Sequence, residues 1–63
     1  MSSELEIRVN QKDMLFDLLE LKRDMEKSGI SNLEALNRLI IKKSAVMEEE
    51  DVAHVEKKVS QLK

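Results

Sequence analysis

The chain has 63 residues, of which 41% are hydrophobic and 38% are charged, and its formal net charge is −2. A chain this short forms one domain at most and buries only about 60% of the surface that its unfolded form exposes. It has no cysteine and a single histidine, which excludes disulfides and a structural zinc site as stabilising features and leaves oligomerisation or a partner.

The same composition bears on location and on the class of partner. The absence of cysteine fits a reducing compartment, and the sequence shows neither a signal-peptide pattern nor an apolar run of the roughly 20 residues that span a bilayer. We therefore expect a cytoplasmic protein without a membrane partner. Basic and acidic residues balance over residues 1–47, and the remaining segment supplies the whole charge of −2. The basic surface typical of a nucleic-acid-binding protein is therefore missing.

The turn-forming and capping residues predict helices. The chain has no proline and one glycine, and most of its residues are strong helix formers. Ser3 with Glu6 has the spacing of a capping box at a helix start, and Ser31 with Glu34 repeats it. Gly29 is suited to the left-handed position that follows a helix C-terminus. One helix is therefore expected to end just before Gly29 and another to begin just after it.

In chain order, we predict a helix over residues 4–28, a turn at 29–31, a helix over 32–47 and a C-terminal helix over 51–62. The short turn makes the first two helices an antiparallel hairpin. A bend or break is expected near residues 48–51, because the apolar stripes before and after it differ in direction by about 85°. The four acidic residues at this point favour a new helix start. The predicted fold is a single all-α domain, 1–63, a helical hairpin with a short third helix that assembles into a four-helix-type bundle.

The first helix carries apolar residues on two opposite faces. One face has the narrow spacing of a coiled-coil seam, and we assign it to the hairpin contact, which consists of Ile7, Met14, Leu18, Leu21, Met25, Leu33, Leu36 and Ile40. The opposite face is predicted to bind a partner and consists of Leu5, Val9, Leu15, Phe16 and Leu19. A helix that covers the core of a monomer needs only one apolar stripe. A second face therefore predicts an interface, since large apolar patches mark contact sites.

Residues 4–10 allow a second interpretation, because their alternation of polar and apolar residues is also typical of a strand. A strand here, followed by a helix and a glycine turn, resembles the ribbon-helix-helix family of DNA-binding dimers, and the resemblance covers residues 4–47. It implies an intertwined dimer that regulates transcription. In that arrangement the side chains placed in the DNA major groove are Glu6, Arg8 and Asn10.

The candidate chemical groups do not form a catalytic or metal-binding pattern. His54 has no nucleophile or second ligand beside it, and we interpret it as a helix-surface residue. Consecutive carboxylates at residues 48–51 would point in different directions on a helix, unlike the ligands of a cation-binding loop. We therefore predict a non-enzymatic interaction module, without metal or cofactor, that serves as a regulator, adaptor or chaperone-like protein. Its expected partner is a second copy of itself, or a helix of another protein.

Overall fold

The computed structural model describes residues 3–62, for Ser3 its backbone alone. In this range the chain forms three α-helices and no strand: α1 (Ser3–Lys27), α2 (Glu34–Ser44) and α3 (Glu49–Ser60). α1 packs against both of the other helices. The predicted all-α class with a short third helix is confirmed, and the observed helix ends differ from the predicted ones by less than one helical turn. Residues 3–62 contribute three helices, so they do not form a four-helix bundle by themselves.

The strand prediction for residues 4–10 is wrong, because this segment is the beginning of α1. A helix satisfies its backbone hydrogen bonds locally, whereas a strand needs a neighbouring strand to do so. Glu6, Arg8 and Asn10 are therefore helical residues and form no DNA-binding ribbon. The ribbon-helix-helix interpretation depends on that strand and is withdrawn with it.

α1 ends in a Schellman motif centred on Gly29, as the sequence predicts. The Gly29 N–H donates to the carbonyl oxygen of Glu26 and the Ile30 N–H to that of Met25, both at 3.0 Å. Gly29 has φ +85°, a left-handed conformation that glycine adopts without steric cost. The capping function predicted for Ser3 at the other end of α1 concerns a side chain outside the described residues.

Replacing Gly29 with alanine is expected to lower the free energy of unfolding by about 1–2 kcal/mol, the cost of a left-handed residue with a side chain. No atom lies within 4 Å of an added Cβ, so the loss comes from the backbone conformation alone. Gly29→Asn is the matched control and should lose less, because asparagine tolerates this conformation better. Urea denaturation followed by circular dichroism measures both, and equal losses would contradict the explanation.

The start of α2 differs from the prediction. The helix begins at Glu34, its N-cap residue is Leu33, and no side chain caps it. The capping box predicted for Ser31 is therefore wrong. Leu33 is only 8% exposed, and burial of this side chain takes the place of a polar cap in fixing where the helix starts.

The predicted break between the second and third helices is confirmed. α2 ends at Ser44 and α3 begins at Glu49. Glu48 has an extended backbone, with ψ 142°, and three acidic residues follow in the first turn of α3. Negative side chains are favoured there by the positive end of the helix dipole. The break turns α3 back onto α1, where it covers surface that a continuous helix would leave exposed.

The interior of the protein is small. Among the described residues, the buried apolar side chains are Leu15, Leu33 and Val55. The radius of gyration is 12.5 Å and the shortest dimension is 15 Å, whereas a compact chain of this length has a radius of about 11 Å. The accessible surface is 5037 Å², compared with about 4,200 Å² expected for a compact monomer of this mass. The chain alone therefore covers little of its apolar surface.

Candidate protein-binding face

The predicted partner-binding side of α1 is largely covered by the chain itself. Leu15 is 1% exposed and is not available to a partner. Phe16 and Leu19 are half-buried. Phe16 lines a depression between α1 and α3, and Leu19 lines one to which α1, α2 and α3 all contribute. Leu5 and Val9 remain 64% and 49% exposed. The sequence predicts that only the second helix of the hairpin covers α1, whereas in the structure α3 covers it as well.

The predicted hairpin seam is covered only in part. Leu33 is buried, and the half-buried members of the seam are Leu18, Met25, Leu36 and Ile40. The other three members are Ile7, Met14 and Leu21, which are 55%, 49% and 49% exposed. The side of α1 that was assigned to the hairpin is therefore the one that faces outward along most of its length.

These three exposed residues form a line along the outside of α1. They are seven residues apart, so they lie nearly above one another on the helix, and the line is about 21 Å long. At its C-terminal end it continues into a depression between α1 and α2 that Met25, Leu36 and Leu39 help to line. We name the combined apolar surface the outer face; its residues are Ile7, Met14, Leu21, Met25, Leu36 and Leu39.

A row of carboxylates borders the outer face on α1. At about 100° per residue, these side chains lie within an arc of about 60° beside the apolar line, and we name them the acidic edge: Glu6, Asp13, Asp17, Glu20 and Asp24. The ion pairs found among the described residues use other acids. Asp13 with Asp17, and Glu20 with Asp24, are like-charge i,i+4 pairs, each of which destabilises a helix by about 0.2–0.5 kcal/mol. An opposite charge from outside the chain would offset this repulsion.

The other border of the outer face lies on α2 and carries positive charge. Lys42 is exposed and on the helical projection lies about 60° from Leu39, on the side away from Leu36. Lys43 is half-buried and lies between Leu39 and Leu36 on the projection, one turn beyond Leu39 at the C-terminal end of α2. Arg38 is the third member of this basic edge and also pairs with Glu34 of the same helix, Nη2 to Oε1, at 2.8 Å. The outer face is therefore apolar in the middle, negative along α1 and positive along α2.

An ion pair joins α1 to α3 on another side of the protein. Arg8 donates from Nε to Oδ2 of Asp51 and from Nη2 to Oδ1, both at 3.0 Å, and Nη2 also reaches Glu50 Oε1 at 3.3 Å. Hydrogen bonding by Arg8 is the main cause that lowers the pKa of Asp51, and the same bond raises the pKa of Arg8. The partners are 43 residues apart in sequence, and no local pattern marks them.

The remaining candidate groups do not come together in a reactive arrangement. His54 is exposed and lines a shallow depression with Val9 and Phe16 of α1 and Lys58 of α3. Within residues 3–62, no three potential metal-ligating side chains are grouped closely enough to hold an ion. In the same range no helix has both the length and the apolar character needed to cross a membrane.

Comparisons with protein-family models, curated proteins and solved structures find no match to this chain. A function is therefore inferred from the chain's own exposed apolar surface.

Proposed function

We propose that this chain is a non-enzymatic protein–protein interaction module, a regulator, adaptor or chaperone-like protein that acts by helix–helix packing on its outer face. The observation that supports this most directly is the line of Ile7, Met14 and Leu21, each about half exposed. Single exposed apolar residues are ordinary on protein surfaces, but a continuous apolar surface bordered by charges is typical of a contact site.

The dimensions of the outer face support the proposal. From Ile7 to Met25 the line is about 27 Å long, and two packed helices side by side are about 20 Å wide. α2 has 11 residues and is about 16 Å long, so it widens only part of the line. One chain would therefore contribute about 430 Å², and two partners together about 900 Å², which is the size of a weak, reversible interface. A four-helix-type bundle, in which two further helices cover α1 and α2, would have this size. We expect a reversible association with a micromolar Kd.

Exchanging Met14 and Leu21 together for aspartate tests the proposal. Association should weaken by on the order of 100-fold or more, because two carboxylates would be transferred from water into an apolar contact. The measurement uses a tagged and an untagged copy of the chain produced together in the same cells. Every protein retained by the tagged copy is quantified, with the wild-type chain and with the double variant.

The matched control is Leu5→Asp combined with Ile41→Asp. These two residues are 64% and 67% exposed and lie outside the outer face, so the control adds the same charge and should retain the wild-type partners. At equal, low protein concentration, circular dichroism should show similar helix content in the two variants, because each places two aspartates at helix positions whose side chains already contact water. Equal retention by the Met14/Leu21 variant and the wild type, or an equal loss in the control, would show that the outer face is not the binding surface.

A further inference from the structure

We propose that the outer face binds a second copy of the same chain, with the two α1 helices parallel and a two-fold axis running along them. This inference rests on the proposed function and names its partner. It is argued from the opposite charges on the two edges of the outer face and from the residue spacing on α1.

A two-fold axis along α1 brings unlike edges together. A rotation by 180° about this axis keeps the direction of α1 and exchanges the two edges of the outer face. The acidic edge on α1 of each chain therefore lies opposite the basic edge on α2 of the other. Asp17 and Asp24 are exposed on the first edge, and Lys42 with Lys43 carries charge on the second. The same attractive contact occurs twice, and complementary charges of this kind fix the orientation of an interface.

The antiparallel arrangement brings like edges together instead. A two-fold axis across α1 would place the acidic edge of one copy against the acidic edge of the other and the basic edges against each other. Juxtaposed like charges disfavour such a complex. The distribution of charge therefore selects the parallel arrangement.

The spacing along α1 supports the same arrangement. Ile7, Met14 and Leu21 occupy one core position of successive heptads, and Leu18 with Met25 occupies the other. In a parallel pair, each residue of the line meets its own counterpart at the axis. Asp17 and Lys22 then fall on the g and e positions, which face each other between parallel helices. The four helices of such a pair, α1 and α2 from each copy, make up a four-helix-type bundle.

Charge reversal tests which edges meet. One variant carries Asp17→Lys and Asp24→Lys, and the other carries Lys42→Glu and Lys43→Glu. By sedimentation equilibrium, each variant alone should self-associate at least about 10-fold more weakly than the wild type, because like edges then meet at both contacts. An equimolar mixture should recover a 1:1 dimer. Wild-type self-association of either variant, or a mixture that stays monomeric, would overturn the inference.

A control separates contact between edges from attraction by net charge. Lys57 and Lys58 are exposed on α3, outside both edges, and Lys57→Glu with Lys58→Glu changes the net charge by the same amount as the α2 variant. The control keeps the wild-type outer face and should dimerise with itself. A tagged Asp17/Asp24 variant should nevertheless bind it at least about 10-fold more weakly than it binds the Lys42/Lys43 variant, because one of the two contacts between them brings like edges together. Equally tight binding to both would show that net charge alone drives association and would overturn the inference.

Single cysteines test whether the helices are parallel, since the chain has no cysteine of its own. A disulfide requires Cα atoms within about 7 Å. In the parallel arrangement, Ile7→Cys links to Ile7→Cys and Leu21→Cys links to Leu21→Cys under mild oxidation. In the antiparallel arrangement, a disulfide forms only in a mixture of the two variants. Self-linked dimers of each variant are the expected result, and a disulfide confined to the mixture would overturn it.

Failure of this inference is distinguishable from failure of the proposed function. A wild-type chain that stays monomeric by sedimentation shows that no second copy binds. Suppose that the tagged wild-type chain then retains some other protein and the Met14→Asp and Leu21→Asp variant does not. In that case the outer face binds that protein and the proposed function stands. If that variant loses nothing, the proposed function fails as well.

Discussion

Replacing Leu15 with alanine is expected to leave most of the chain unfolded at room temperature. Leu15 is 1% exposed, the lowest value among the described residues, and removing a buried leucine side chain costs about 2–5 kcal/mol. A single core in a chain of this size supplies at most about 3–5 kcal/mol of stability. The loss is therefore comparable to the whole stability. Circular dichroism against temperature and urea concentration should show little folded baseline.

The neighbouring residue provides the control. Met14 is 49% exposed, and alanine is a better helix former than methionine, so Met14→Ala should change the stability of dilute protein by less than about 1 kcal/mol. Its effect should appear in the association constant, where an apolar contact is lost. The stability is measured on dilute protein, because association of the chains would otherwise add to the measured stability. Equal destabilisation by Leu15→Ala and Met14→Ala would contradict the orientation of α1 described here.

The two faces of α1 show what could be predicted from the sequence and what could not. Residue spacing alone locates both apolar stripes, because periodicity determines which side chains share a side of a helix. Which stripe the chain covers depends on where α3 packs after the break, and spacing does not specify that. α3 returns over the side that contains Leu15. The line through Ile7, Met14 and Leu21, which the spacing assigns to the hairpin seam, is consequently left exposed, whereas Leu15 of the predicted partner-binding face is buried.

Features that depend on a few neighbouring residues were predicted well. Gly29 ends α1 because its backbone conformation is a local property, and the acidic run starts α3 because the dipole acts within one turn. Ser31 has an equally clear local signal and fails, since burial of Leu33 sets the start of α2. The contact between Arg8 and α3 has no local signal at all, because it exists only once the helices have packed.

Asp51→Asn is expected to lower the urea midpoint of unfolding distinctly more than Glu50→Gln does, although both acids contact Arg8. The side chain of Asp51 is 10% exposed and accepts two hydrogen bonds at 3.0 Å. The side chain of Glu50 is 80% exposed, with one contact at 3.3 Å. Exposed ion pairs contribute little to stability, whereas an amide at residue 51 leaves one of the Arg8 donors without its acceptor. A midpoint shift in Asp51→Asn no greater than that in Glu50→Gln would contradict a structural role for this pair.

The same pair predicts how stability changes with pH. Hydrogen bonding by Arg8 lowers the pKa of Asp51 in the folded chain from its usual value of 3.8, so the unfolded chain binds this proton more tightly than the folded chain does. The stabilisation is therefore fully present above the usual pKa and is lost as the pH falls through the lower pKa of the folded state. Between about pH 5 and pH 3, the melting temperature of the wild-type chain should fall more steeply than that of Asp51→Asn. Glu50→Gln leaves the Arg8–Asp51 contact in place and is the matched control, which should keep the wild-type slope. If Asp51→Asn shows that slope as well, another carboxyl group is responsible for the acid sensitivity.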